Sequence, residues 1–497
     1  MIFLHNKRKT KSLYSFLSFF SIIMILFTFF PKTFIDVHAD NENTGSVPWP
    51  ASPDIYAEAG VLIEASTGTV LYDKNCHQQM YPASITKILT TLIALEEGNL
   101  SDMVEFSHYD VFSLEVGDAH ISRQEGELLS LKDCLYAVML ASANEVSNAV
   151  GEYVAKKSQA YTDKIAELQA SNTEYDESKV AIDIFADMMN ERAVKAGAQG
   201  SHFCNPNGLF NENHYTTCYD MAMITRDASK NDEFLKLESN ITYTIPTTNK
   251  ATETHPIKNR HQMMFPLNSV YYEGILGGKT GYVDQSGTTL VTFAKRNGMT
   301  LISVVMKTNG ANVYNDTKLL LDYGFNNFSL SNISENETKF SFNNTGSYSN
   351  LNTVFDTNSS LIELDTNGNV VLPNGVSIDQ CKSELIFYDE TEQADSKNIA
   401  KINYYYNNIN IGGTDLILNN TEDNSFNFGP AKEPSTPSDK KEDKYININI
   451  WFLVGIIIVL LLLIGIIYYF NNTHIFNRSR RTKHRRRKSG KSRNTYR

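Results

Sequence analysis

Ser84 and Lys87 stand three residues apart in Ser84-Ile85-Thr86-Lys87, at the head of a segment whose apolar residues keep helical spacing. Positions i and i+3 share one helix face. The Lys87 amine can therefore take the Ser84 proton, provided burial or nearby cations lower its pKa. A helix N-terminus adds backbone N–H donors and partial positive charge. Taken alone, the pair fits an N-capping Ser beside an exposed Lys better. Ser142-Ala143-Asn144 lies in a break between two helical stretches. A hydroxyl and an amide there can relay a proton and hold a substrate amide, although a polar loop needs no such role. Gly277-Gly278-Lys279-Thr280-Gly281 reads as strand. Gly281 leaves room for a substrate backbone alongside, while Lys279 and Thr280 offer a cation and a hydroxyl to an anionic end. From Gly274 the same run approximates a phosphate loop, but it is one residue short between glycines and no helix follows, which argues against a nucleotide site.

The elements that must position these groups are legible around them. Gly60 to Glu64 and Thr69 to Lys74 are strand-like, joined by Ser66-Thr67-Gly68. Ile85, Ile88, Leu89, Leu92, Ile93 and Leu95 mark the helix after Ser84, stopped by Gly98. A second helical stretch runs from about Leu131 to Leu140. Leu290 to Lys295 and Thr300 to Lys307 flank Asn297-Gly298, a two-residue hairpin signal. Helices in the middle with strands before and after predict an α+β arrangement, an antiparallel sheet with a helical cluster. Beyond about residue 326 the chain turns rich in Asn, Ser and Thr with short alternating runs, which predicts a small β-rich domain over 327–429. Asp316 and Asp322 fit a solvated or capping role on the last helix of the first region, and His214 a structural loop position.

In this order, Ser-x-x-Lys, Ser-x-Asn and Lys-Thr-Gly resemble the signature trio of the penicillin-recognising serine enzymes. Pro82 to Lys87, Phe203-Cys204-Asn205-Pro206-Asn207-Gly208-Leu209, His214-Tyr215-Thr216-Thr217, Asp220-Met221-Ala222 and Leu321-Asp322-Tyr323-Gly324-Phe325 are similar, more narrowly, to the low-molecular-mass D-alanyl-D-alanine carboxypeptidases. The resemblance covers residues 54–326 and implies a β-lactamase/transpeptidase-like fold. It implies Ser84 as nucleophile, Lys87 as base, and the Ser84 and Tyr282 N–H groups as oxyanion hole. Ser142 and Lys279 would move the proton to the leaving amine, and Asn144 would hold the substrate backbone. Lys279, Thr280, Gly281 and Tyr282 would bind the substrate. No metal or cofactor is implied. The implied partners are a peptidoglycan stem peptide ending in D-Ala-D-Ala and, as covalent inhibitors, β-lactam antibiotics. The chain departs from the family where Val283 replaces a common Thr and Asn312 stands near a common Arg, so one carboxylate contact is expected to be missing. A DD-endopeptidase, a β-lactamase-like acyl hydrolase and a non-catalytic wall-binding protein are the alternatives. Ala160 to Ala181 is longer than the family's segment and predicts an added helix or loop.

The termini predict export and anchoring. Lys7, Arg8, Lys9 and Lys11 precede an apolar run, Leu13 to Phe30, and Val37-His38-Ala39 suits a signal peptidase, giving a signal over 1–39. Pro430 to Lys444 reads as a polar linker (430–445). Ile446 to Phe470 has no charge and is long enough for a transmembrane helix, which the family's usual amphipathic end helix is not. The tail, 471–497, has eleven Lys and Arg and no acid, which predicts a cytoplasmic tail contacting membrane lipid. Because the whole chain carries −11, the body between the ends is strongly acidic, which argues against nucleic acid as partner. Five scattered cysteines predict buried thiols rather than a disulfide scaffold, and no His-Glu-x-x-His or Cys/His cluster supports zinc.

Overall fold

The computed structural model describes residues 47–337, 362–388 and 397–418. The predicted signal, linker, transmembrane helix and basic tail lie outside the described residues. Among the described residues no helix is long and apolar enough to cross a membrane.

The central sheet has five antiparallel strands. β1 (Ala59–Glu64) and β2 (Val70–Lys74) come from the start of the chain; β3 (Ile275–Val283), β4 (Gly287–Arg296) and β5 (Met299–Thr308) come from its middle. Their spatial order is β2-β1-β5-β4-β3, so the first hairpin closes against the last strand, with Val61 opposite Val304. Arg296 pairs with Met299 around Asn297 and Gly298, both at positive φ, as a tight two-residue hairpin requires.

Period-two alternation divides the sheet between two cores. Val61, Ile63, Ile302 and Val304 face a large core built with helices α1 (Lys87–Glu97), α2 (Leu131–Tyr136), α3 (Asn144–Lys156), α5 (Glu177–Lys195) and α6 (Cys218–Ala228). Leu62, Leu301 and Val305 face the other way, onto Leu320 and Leu321 of α7 (Asn312–Asn327). The sheet is therefore covered on both faces, which is why β1 is buried at all six positions. The segment read as an insertion forms helix α4 (Gln159–Ala170), which has no fully buried residue.

A second sheet follows: β6 (Phe328–Asn332), β7 (Ile362–Leu364), β8 (Asn369–Pro373), β9 (Lys382–Phe387), β10 (Asn398–Tyr406) and β11 (Ile409–Leu418). Its order is β6-β8-β11-β10-β9, with β7 also paired to β11. Ile402, Tyr404 and Ile411 lie in its own small core. The five cysteines are free thiols, Cys204 half-buried and the others buried.

Asp316 corrects the sequence reading. It is fully buried, and its two oxygens accept the Tyr56 and Ala57 N–H groups at 2.9 and 2.8 Å. It fixes the entry into β1 rather than facing solvent. Asp322 accepts from Tyr272 Oη and pairs with Lys318.

Candidate active site

Ser84 sits in a single 3-10 turn, Ala83–Thr86, and α1 begins at Lys87, one turn later than the helical spacing alone predicts. Ala83 has φ +53°, a left-handed conformation disfavoured for an L side chain. Two glycines make room for this turn. A Cβ on Gly208 would lie 2.0 Å from the Ala83 carbonyl oxygen, and one on Gly281 would lie 2.9 Å from the Ser84 nitrogen. Thr289 Oγ1 donates to Pro82 O at 2.9 Å and ties β4 to the same turn.

Lys87 is fully buried beneath Ser84. Its Nζ donates to Ser84 Oγ at 3.0 Å, to Asn144 Oδ1 at 2.6 Å and to the Asn207 carbonyl at 2.5 Å. Burial, and then the charges of Lys279 and Arg260, hold its amine well below the ordinary lysine pKa. Asn207 is set for this contact by its own side chain, which donates to Asn148 and accepts from the Leu209 N–H.

Across the site, Lys279 Nζ donates to Ser142 Oγ at 2.9 Å and to the Thr280 carbonyl at 2.8 Å. Burial and the charge of Arg260 bring this lysine down to about 7. Ser142 follows a short π-helical stretch, Ala137–Ala141, and takes φ +61°, so the chain reverses between it and Asn144 at the head of α3. Each half of the Ser-x-Asn motif thus reaches a different lysine. Thr280 is half-buried, and Gly281 lies against the Ser84 turn. The Tyr282 side chain is exposed and donates to Asp284, leaving only its backbone for the site.

Three supporting residues escaped the sequence reading. Arg260 lies between the short strand His255–Lys258 and the 3-10 turn Gln262–Met264, and a lone Arg in a loop carries no periodic or motif signal. Glu238 is buried behind β3, accepts the Gly278 N–H at 2.8 Å, and is pushed up to about 8 by burial. Asn207 sits in a contiguous motif, but nothing in its sequence context marks its carbonyl as the acceptor for Lys87. His214 behaves as expected of a structural residue. Its Nδ1 accepts the Cys204 N–H, so Nε2 donates to Thr86 Oγ1 at 2.9 Å, and burial lowers its pKa to about 3. Among the described residues no cluster of three His, Cys, Asp or Glu that could hold a metal occurs.

The family profile described as D-alanyl-D-alanine carboxypeptidase matches residues 46–179 and 181–310. The chain is 29% identical over 322 residues to D-alanyl-D-alanine carboxypeptidase DacF of Bacillus subtilis, covering 63% of this chain and 71% of that one. It is 25% identical over 295 residues to D-alanyl-D-alanine carboxypeptidase DacB2 of Mycobacterium tuberculosis, covering 58% and 87%. Among solved structures, the Streptomyces K15 DD-transpeptidase superposes with a TM-score of 0.49 at 24% identity, over 56% of this chain and all of that one. With more than half of its residues matched by one profile, the chain belongs to the D-alanyl-D-alanine carboxypeptidase family of serine peptidases.

Proposed function

We propose that this enzyme removes the terminal D-alanine from peptidoglycan stem peptides through an acyl-enzyme on Ser84. The observation that carries the assignment is a buried Lys87 amine, held below its usual pKa, 3.0 Å from the Ser84 hydroxyl. An amine that is neutral at working pH is a general base within hydrogen-bond reach of its nucleophile. Ser84 Oγ attacks the carbonyl between the two D-alanines as its proton passes to Lys87. The Ser84 and Tyr282 backbone N–H groups receive the oxyanion. The proton returns through Ser142, which Lys279 bonds, to the departing D-alanine amine, and the C–N bond breaks. Water then cleaves the Ser84 ester, and Lys87 again accepts the proton. Asn144 holds the peptide backbone between Lys87 and the substrate.

The free carboxylate of the last D-alanine would meet Lys279, Thr280 and Arg260. The Asn312 position offers no cation: its N–H bonds Asn309 Oδ1 at the head of α7. Arg260 is close enough to depress both lysines and has no ion-pair partner among the described residues, so it can carry the role the family commonly gives to another arginine. Incubating the protein with a stem pentapeptide and weighing the product tests the reaction. Loss of one D-alanine is expected, together with labelling by fluorescent penicillin that Ser84→Ala abolishes. Undiminished labelling of the alanine variant refutes the assignment.

We also infer that the body works outside the cytoplasmic membrane, held by residues 446–470 with the basic tail inside. The support is the uncharged span and its basic flank. External protease on intact cells should digest the body and spare a tag after Arg497; equal loss of both overturns this topology.

A further inference from the structure

A groove of about 520 Å³ opens where the catalytic region meets the second sheet, formed by the Ser66–Val70 turn and α6 on one side and by β8, β10 and β11 on the other. The two regions touch closely here: a Cβ on Gly412 would lie 2.8 Å from Thr67 Cγ2. The lining is unusual in charge. It contains Arg226 and Lys401 and no Asp or Glu, although the body of the chain is acidic. Arg226 donates only to the Ala65 and Ser66 carbonyls, and no carboxylate pairs with it among the described residues. Lys401 is exposed and unpaired there too, because its cross-strand neighbour Asp415 is bonded to Tyr388 and Asn398 instead.

The rest of the lining is amide and hydroxyl. Asn369, Asn403 and Asn410 border the groove with the half-buried ring of Tyr219. Thr69 also lines it, is only 4% exposed, and has a hydroxyl with no partner among the described residues. Each asparagine amide can donate and accept at once, which suits sugar hydroxyls and acetamides. A tyrosine ring suits the C–H face of a pyranose. Two unpaired cations call for acid groups along the same ligand. We infer that this groove binds an acidic amino-sugar glycan, a peptide-free stretch of wall glycan strand whose unsubstituted lactyl carboxylates lie along Arg226 and Lys401. The choice of a wall glycan rests on the proposed function, since the stem peptides hang from such strands. The groove would then hold a peptide-free stretch of the polymer while Ser84 works on stem peptides attached elsewhere along it.

The probe is a wall glycan freed of its stem peptides by an amidase, which bears hydroxyls, acetamides and one free lactyl carboxylate per disaccharide. It has no D-Ala-D-Ala and so cannot occupy the Ser84 site. Full-length protein, first acylated with penicillin to block that site, should bind this glycan, and bind an uncharged N-acetylglucosamine tetrasaccharide at least tenfold more weakly. Lys401→Glu and Asn403→Ala, both on the surface of the second sheet, should each weaken glycan binding about tenfold. Neither should alter the rate of penicillin labelling, which reports that the fold and Ser84 are intact. A wild-type protein that labels with penicillin but ignores the glycan overturns the inference and leaves the proposed function standing. Equal binding by wild type and Lys401→Glu, or equal binding of charged and neutral sugars, overturns it as well. A protein that binds the glycan but fails to label supports the groove and counts only against Ser84.

Discussion

At the scale of single residues, the site gathers three basic side chains, of which only Arg260 is exposed. Lys87 and Lys279 are both buried, and each feels Arg260. Burial and like charge both oppose the ammonium form, so both amines titrate far below an exposed lysine. The consequences differ because the proposed roles differ. Lys87 must be neutral to accept the Ser84 proton, so activity should rise as pH climbs through its depressed pKa. Lys279 must keep its proton to attract a carboxylate and to supply the leaving amine. Its charge is present below about 7 and is lost above it, so kcat/KM should fall on that side. A bell-shaped profile with an alkaline limb near neutrality is expected for the free enzyme. Arg260→Ala removes a positive neighbour, which raises both pKa values, so both limbs should move to higher pH. The same variant should lose roughly ten- to hundredfold in kcat/KM on acid-terminated peptides, the effect of about 1.5–3 kcal/mol for a charge-assisted contact. Penicillin labelling of the variant verifies that it is folded. An unmoved pH profile would show that Arg260 does not act on the lysines.

At the scale of elements, the nucleophile depends on a turn that three segments press into place. Ala83 at φ +53° is disfavoured by about 1–3 kcal/mol, and it persists because Gly208, Gly281 and the Thr289 hydrogen bond surround it. Gly208 is itself at φ +83°. Gly208→Ala therefore meets both a backbone clash and a conformational penalty, and should lower stability by at least about 1–3 kcal/mol. A thermal melt should fall by several degrees, and penicillin acylation should slow more than the melt alone explains, because the displaced atom is the Ala83 carbonyl beside Ser84. This level also explains what was legible in the sequence. The hairpin at Asn297-Gly298 and the apolar periodicity of α1 are local signals, and both elements are found where the signals lie, apart from the first turn of α1. The three motifs were legible because each is contiguous. The start of α1 was misjudged by one turn, since apolar spacing does not distinguish a 3-10 turn from an α-helix. Arg260, Glu238 and Asp316 act through space, on partners between 19 and 260 positions away, and a buried acid looks the same in sequence as a solvated one. The covering of the sheet on its second face by α7 was missed for the same reason.

At the scale of the whole molecule, the described regions form three cores, and one short segment ties two of them together. Trp49 packs against both the α7 core and the core of the second sheet, with its ring centroid 5.0 Å from that of Phe328. Its Nε1 donates to the Leu71 carbonyl at 3.4 Å. On either side of it, Tyr406 Oη donates to Val47 O at 2.6 Å and Tyr323 Oη to Pro50 O at 3.0 Å. The segment before β1 therefore acts as a strap whose one large side chain fills the seam. Removing a tryptophan from such a position leaves a cavity that backbone neighbours cannot close, and Trp→Ala changes in cores cost about 3–5 kcal/mol. Because Trp49 is only half-buried, the lower end of that range is expected. The more informative effect is on cooperativity. While the strap is intact, the catalytic region and the second sheet should unfold together, in one calorimetric transition. Trp49→Ala should split this into two, with the second sheet melting first because its core is the smallest. Penicillin labelling of Ser84 should survive the first transition and vanish with the second. The chain has two tryptophans, and the other is Trp451. In a Trp451→Phe background the fluorescence of Trp49 reports this seam alone, and its change should coincide with the single calorimetric transition. A fluorescence change well below that transition would mean that the seam opens independently and that Trp49 does not couple the two regions.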